Sequence, residues 1–430
     1  MRVYVGPGSA FKGEVTVPGS KNYTSRYIWL SALTEGESTI TSPALNDDAR
    51  SLIECCRKLG AKINIERNVL RVKGFGRHGR EVQTLDPGNG GLVLRLLLAY
   101  GLFLSTTRYV SSYPESLGKR PQGDLVDALR ELGAEVEDNR GCLPIVIHGQ
   151  KLLAKRDVTL SGRVSSQFAT ALLLVAPLLG GLTLRINQPL SSRPPLATTI
   201  RVMAEAGIKV EADWEHLRFV VPAGSYRSAS YRVPGDYPGA SALLAAAAIQ
   251  ESHVVLKRLL LDDVQGERAV IPYLQKMGVE IIPGPEGVLV KGGQPLKAQD
   301  FSGEEATDAV LSMAAVAACG EGRSRFMRVG NLRWKESDRI SDFARELKKI
   351  GVKVEEYPEE FSITGNPKGY EGGVSIDAHH DHRIIMACSA LALRTKQGLT
   401  IDGAEHVSKS YPDFFKDLAS LGANVEVVEE

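Results

Sequence analysis

The run Cys56-Arg57-Lys58-Leu59-Gly60-Ala61-Lys62-Ile63-Asn64-Ile65 carries the end of an amphipathic helix, one glycine and an alternating strand. Glycine closes a helix cheaply because it enters the left-handed conformation without a Cβ penalty. The alternation that follows has the period of a half-buried strand. The same junction recurs around Gly133 (Leu129 to Glu137), Gly207 (Met203 to Glu211), Gly278 (Leu274 to Ile282), Gly351 (Leu347 to Glu355) and Gly422 (Leu418 to Val427). The glycines stand roughly every 72 residues, so six copies of one unit account for the chain.

A second series lies between these junctions. Long helices begin near Lys21, Asn89, Ser165, Asp236, Asp308 and His382, and they are apolar nearly all round. Such helices belong inside a fold, not on its surface. Each unit therefore reads strand, buried helix, strand, amphipathic helix, strand, strand. In the first unit these are expected over 14–17, 21–33, 38–41, 48–59, 62–65 and 69–72. The last unit lacks a final strand, while the first strand, from Arg2 to Val5, has no unit of its own. We expect the one to fill the place of the other, so that both termini lie in one domain. The chain then crosses between domains near Pro18-Gly19 and Pro234-Gly235, giving three units in 20–234 and three in 1–19 joined to 235–430. A chain of 430 residues exceeds what one core usually supports, in keeping with two domains.

The starts of the buried helices carry more than caps. Lys21 and Arg26 sit at the positive end of the first, which is costly without an anion. Asp86-Pro87-Gly88-Asn89-Gly90-Gly91 opens the second with glycines that let a ligand approach the backbone. Ser165-Ser166-Gln167 opens the third with hydroxyls beside free N–H groups, which serves either a phosphate or an ordinary cap. Lys119-Arg120-Pro121 and Ser191-Ser192-Arg193-Pro194 lie in loops and supply further cations and hydroxyls. Thr307-Asp308 opens the fifth, where the helix dipole alone suffices to stabilise the carboxylate. The sixth opens with Asp381-His382-Arg383.

Ahead of the amphipathic helix 340–350, the stretch from Asn331 to Arg339 brings together Lys335, Glu336 and Arg339, with Ser337 or Asp338 available as its cap. Arg339 falls where the dipole disfavours a cation, so an anion is expected there. If the units fold alike, Lys21, Arg26, Arg120, Lys335, Arg339, Arg383 and Lys409 line a cleft between the domains. Asp308 and Glu336 then stand among cations, placed for proton transfer.

Composition narrows the rest. The net charge is +1, with 43% hydrophobic and 24% charged residues, so no global field draws nucleic acid or an anionic membrane. The longest apolar run, from Ala171 to Leu182, is short for a membrane span and contains Pro177. Five cysteines without metal-type spacing suit a reducing compartment. The run His379-His380-Asp381-His382 lacks regular metal-ligand spacing. A cytoplasmic monomer acting on small anions, with no metal or cofactor, is expected.

These motifs resemble the enolpyruvyl transferases. They are Pro18-Gly19-Ser20-Lys21 with Arg26, Gly88-Asn89 through Arg95, Arg120-Pro121, Ser165-Ser166-Gln167-Phe168, Ser192, Gly235-Asp236, Asp308, Arg333 through Arg339, Asp381-His382-Arg383, and Lys409 with Tyr411-Pro412. The likeness runs the whole chain in order. It implies a two-domain inside-out α/β barrel of six βαβαββ repeats, three per domain. It also implies transfer of the enolpyruvyl group of phosphoenolpyruvate to the 5-hydroxyl of shikimate 3-phosphate, with release of phosphate. On that resemblance Lys21, Asn22, Arg26, Ser165, Ser166, Gln167, Ser192, Asp308, Asn331 and Lys335 bind shikimate 3-phosphate. Lys21, Asn89, Gly91, Arg120, Gln167, Arg339, Arg383 and Lys409 bind phosphoenolpyruvate. Asp308 takes the hydroxyl proton, while Glu336 with Lys21 manages the proton at the methylene carbon.

The chain departs from the family pattern at Asn22, where Ser is usual, at Leu92, where Thr is usual, at Pro195, where Tyr is common, and over Tyr237-Pro238-Gly239. Leu92 crowds the helix start, so weaker inhibition by glyphosate is expected. UDP-N-acetylglucosamine is the alternative acceptor within the family, but the loop ahead of Arg120 lacks the cysteine usual for it. A non-catalytic anion-binding relative is the other alternative.

Overall fold

A computed structural model describes residues 1–8, 10–149, 156–190 and 192–428. The chain divides into two compact units. One, here the split unit, comprises Met1–Pro18 and Pro234–Glu430, and the other, the continuous unit, comprises Gly19–Val233. These boundaries fall one residue before those expected from the sequence.

The continuous unit contains helices α1 (Lys21–Ala32), α2 (Asp47–Lys58), α3 (Gly91–Tyr100), α4 (Gly123–Glu131), α5 (Ser166–Val175) and α6 (Pro194–Glu205). The split unit contains α7 (Tyr237–Ala248), α8 (Val270–Met277), α9 (Val310–Ala318), α10 (Ser341–Ile350), α11 (His382–Ala392) and α12 (Phe414–Ser420). Odd-numbered helices are the buried ones, and all of them but α1 are mainly apolar. Every residue of α7, α9 and α11 is buried, and the three pack against one another at the centre of the split unit. In the continuous unit α3 packs on α5, and every residue of α3 is buried. Helices that are apolar on all sides have no face to give to water, so each unit places them inside and its sheets around them.

All six junction glycines adopt positive φ, from 91° at Gly207 to 112° at Gly422, as a left-handed helix stop requires. Behind each of them lies a four-stranded sheet of one topology, with spatial order first, second, fourth, third. The sheet Asp157–Ser161, Leu182–Asn187, Arg218–Val221, Glu211–Asp213 is an example: its first pair is parallel and the others antiparallel. Arg2–Gly6 fills the fourth-strand place beside Leu399–Asp402 and Asn424–Val428, antiparallel to both.

One strand assignment is corrected. Residues 14–17 do not open the sheet of the first unit. Phe11–Thr16 instead runs parallel to Ser252–Lys257 in the split unit, and Ser230–Arg232 runs parallel to Glu37–Thr41 in the continuous unit. Each crossing follows a strand and precedes a helix, so the strand stays with the unit that the chain leaves.

Candidate active site

Each unit carries a cluster of its own at the starts of its buried helices. In the split unit the centre is Arg339. Its Nε donates to Asp381 Oδ2 at 2.7 Å, its Nη1 to Asp308 Oδ1 at 2.9 Å and its Nη2 to Glu336 Oε2 at 3.0 Å. Only 2% of the Arg339 side chain is exposed, and none of Asp381. Burial by itself lowers the Arg339 pKa, but Asp381, Glu336 and Asp308 outweigh it and hold the guanidinium protonated beyond its ordinary range. The anion expected beside Arg339 is therefore supplied by the protein itself, three times over.

Glu336 stands between two cations, because its other oxygen accepts from Lys409 Nζ at 2.9 Å. Asp308 lies in the short 3-10 turn Thr307–Ala309 that leads into α9, as the acidic residue of that turn. Burial raises the Asp308 pKa, but the charges of Arg383, Arg339 and Lys335 prevail and keep it ionised well below the ordinary carboxylate range. Arg383 Nη2 approaches Asp308 Oδ2 to 3.6 Å. The Nε and Nη1 of Arg383 are buried and have no hydrogen-bond partner among the described residues. An unpaired buried guanidinium edge costs free energy, and a planar oxyanion is its natural complement.

The stretch from Asn331 to Arg339 divides its labour. Asn331 lies half-buried in the 3-10 turn Gly330–Trp334. Asp338 is the cap, accepting from the N–H groups of Ile340 at 3.2 Å and Ser341 at 3.1 Å, so α10 begins at Ser341, not Ile340. Arg333 braces this turn through Asp338 and Glu356. The Ser337 hydroxyl donates to Asp381 Oδ2 at 3.1 Å. The histidine run is absorbed locally: His379 pairs with Glu346, His380 with His406, and Asp381 caps α11 through the Arg383 N–H.

In the continuous unit the cluster forms around Arg95, a cation within the otherwise apolar α3. Its Nε donates to Gln122 Oε1 at 3.1 Å and its Nη1 to Gln167 Oε1, with the guanidinium 4.9 Å above the Phe168 ring. Arg120 joins this group at Gly91. A Cβ placed on Gly91 would lie 3.1 Å from Arg120 Nη1 and 3.2 Å from Arg95 Nη1, so the missing side chain is where the two cations come close. Ser165 caps α5 by accepting from the Gln167 N–H at 3.3 Å, which puts Ser165, Ser166 and Gln167 on one helix start. Ser192 is half-buried just ahead of α6, and Ser191 lies outside the described residues. Asn89 is half-buried two residues ahead of α3.

Lys21 and Arg26 have partners in their own unit. Lys21 Nζ lies 2.6 Å from the buried Asp48, which supplies the anion its helix-start position calls for. Arg26 has no exposed surface. Its nitrogens donate to Thr199, Thr170 and the carbonyls of Asn22 and Pro195, tying α1 to α5 and α6. Burial brings its pKa down to about 10.

The structure thus gathers Asp308, Glu336, Arg339, Arg383 and Lys409 in one unit, and Gly91, Arg120 and Gln167 in the other. Sequence reasoning passed over Asp48 and Gln122 as members of these clusters, and named Arg95 and Asp381 only as parts of motifs. A cation inside an apolar helix was a readable signal for Arg95. Asp48 reads as an ordinary first-turn acid.

A chain of six such repeats, three in each unit, is matched in fold by solved enolpyruvyl transferases. The solved enolpyruvyl transferase NikO from Streptomyces tendae matches with a TM-score of 0.76 over 99% of this chain and 98% of that one, a likeness of fold at 18% identity. The EPSP synthase of Acinetobacter baumannii matches more closely, with a TM-score of 0.85 and 28% identity over the whole of both chains. A family model for EPSP synthase (3-phosphoshikimate 1-carboxyvinyltransferase) matches residues 5–418. The 3-phosphoshikimate 1-carboxyvinyltransferase of Deinococcus radiodurans is 41% identical over 429 residues, 99% of this chain and 97% of that protein. That of Burkholderia pseudomallei is 37% identical over 97% of this chain and 94% of its own. The chain belongs to the EPSP synthase family.

Proposed function

We propose that this enzyme transfers the enolpyruvyl group of phosphoenolpyruvate to the 5-hydroxyl of shikimate 3-phosphate, giving 5-enolpyruvylshikimate 3-phosphate and phosphate. The observation that carries the reading is the carboxylate–cation cluster of the split unit. There Asp308 and Glu336 accept from Arg339 and Lys409, and Arg383 presents an unpaired edge.

The residues of the site come from both units. Ser165, Ser166, Gln167 and Ser192 take the shikimate phosphate, with Asn22, Arg26, Asn331 and Lys335 completing that subsite. Arg120, Arg339, Arg383 and Lys409, with Lys21, Asn89 and Gly91, take phosphoenolpyruvate. A resting Asp308 held far below its ordinary pKa is a weak base. The anionic groups of phosphoenolpyruvate draw on the charge of Arg383, and Asp308 then recovers the basicity to accept the 5-hydroxyl proton.

As the hydroxyl oxygen bonds to C2, a proton passes to the methylene carbon C3, which gives a tetrahedral adduct. Loss of a proton from the new methyl group and departure of phosphate restore the double bond. Glu336 and Lys21 carry that proton in both directions. Cations fixed beforehand stabilise the adduct's phosphate and carboxylate without reorganising during the reaction.

The protein works as a monomer in the cytoplasm, and among the described residues no helix is long and apolar enough to cross a membrane. Phosphate release is measured first with shikimate 3-phosphate, then with UDP-N-acetylglucosamine. Release with the first alone is expected, and none with either overturns the assignment. Under the same assay Leu92, buried beside Gly91, should leave glyphosate a weaker inhibitor than it is of a Thr-bearing relative.

A further inference from the structure

Glu267 stands beside the cluster just described, on the short 3-10 turn Gly266–Ala269 ahead of α8. That turn packs on the Asp308 turn and on α7. Its neighbours hold it firmly. Gln265 accepts from the Tyr237 N–H at 3.2 Å and donates to the Gly235 carbonyl at 2.8 Å, and the Gln265 N–H is itself held by Asp263 at 2.9 Å. The one cation on the turn, Arg268, is drawn away to the Leu261 carbonyl. Glu267 Oε1 accepts the backbone N–H of Asp308 at 3.4 Å.

The charged groups facing Glu267 are Asp308, the Asp236 that caps α7, and Arg383 on α11. Glu267 thus feels the like charges of Asp308 and Asp236 and shares the pull of Arg383 with Asp308. Like charges so close do not all ionise, and the proton goes to the one with the least support from cations. Asp308 has Arg339, Arg383 and Lys335, and Asp236 accepts the Gly239 N–H at 2.7 Å. Glu267 has only a share of Arg383. Burial and the charge of Asp308 together carry its pKa up to about 8 against that pull.

We propose that Glu267 is a positioning residue for the anion end of the site: as a neutral acid it steadies the Asp308 turn and leaves Arg383 free for phosphoenolpyruvate. Once ionised it claims Arg383 and repels the incoming anion. This inference rests on the reading of Arg383 as a phosphoenolpyruvate ligand. It adds a proton that the enzyme must hold in order to bind its substrate. Gln is the isostere of the neutral acid, keeping an oxygen to accept the Asp308 N–H while losing the charge.

Calorimetric titration with phosphoenolpyruvate alone, from pH 7 to pH 9.5, tests the proposal. The ligand's phosphate is fully ionised over that range because its second pKa is near 6. For the wild type, Kd should rise by about tenfold per pH unit above the Glu267 pKa. For Glu267→Gln it should stay level. A parallel rise in the variant, or a level wild type, overturns the proposal.

A second measurement needs no variant. At pH 9, titration in buffers of different ionisation enthalpy should show the wild type taking up about one proton per phosphoenolpyruvate bound. No uptake overturns the proposal equally. Phosphate release with shikimate 3-phosphate, read on the same preparation, separates the two ideas. Turnover without proton-linked binding removes only the role of Glu267. Proton-linked binding without turnover removes the transferase reading and leaves Glu267 as the proton holder of an anion site.

Discussion

Arg339 serves three carboxylates with one guanidinium, a geometry that the planar five-donor fork permits and an ammonium does not. The residue with most at stake is Asp381, fully buried, whose remaining partners are the Ser337 hydroxyl and the Arg383 N–H. Arg339→Met should therefore cost about 3–5 kcal/mol in urea unfolding, the penalty for stranding a buried charge, and Arg339→Lys should recover only part of it. A loss below about 1 kcal/mol would mean that Asp381 finds other partners once Arg339 is gone. Glu336 contrasts with this. It retains 11% exposure and two cationic partners, so Glu336→Gln should leave the fold intact by circular dichroism. If Glu336 moves the methylene proton, kcat for phosphate release should fall by about 10²–10⁴-fold. Near-normal turnover would return Glu336 to a purely structural member of the cluster.

At the scale of elements, the starts of the buried helices are where the chain puts charge, and Gly91 shows how closely. Gly91→Ala places a methyl group 3.1 Å from Arg120 Nη1 and 3.2 Å from Arg95 Nη1. Both guanidiniums end flexible side chains and must shift to make room, while α3 itself gains a better helix former. The thermal midpoint should hold or rise slightly while KM for phosphoenolpyruvate increases several-fold, about 1 kcal/mol of binding. An unchanged KM would show that Arg120 and Arg95 do not touch the ligand. Elements of this kind were legible because period and capping are local. The six glycine junctions, the all-apolar helices and the displaced strand Arg2–Gly6 follow from patterns of a few residues. The pairing of Phe11–Thr16 and Ser230–Arg232 was not legible, since both strands look alike and only long-range register decides which sheet takes which. For the same reason the sequence showed that Arg339 needs an anion but not that Asp381, 42 residues on, would be one.

At the scale of the whole chain, the two units are built alike but closed differently. The continuous unit draws every strand of its three sheets from Gly19–Val233. The split unit takes one strand in each of two sheets from residues 1–18: Arg2–Gly6 between Leu399–Asp402 and Asn424–Val428, and Phe11–Thr16 beside Ser252–Lys257. Without them, one sheet loses an internal strand and another loses its edge, exposing unpaired backbone and the apolar helix faces behind it. Residues 19–233 expressed alone should therefore fold, with a cooperative urea transition. Residues 234–430 alone should collapse without one and tend to aggregate. Adding a peptide of residues 1–18 during refolding should restore the transition, because both missing strands lie within it. Cooperative unfolding of 234–430 without the peptide would show that its buried helices α7, α9 and α11 hold the unit together whether or not the sheets close.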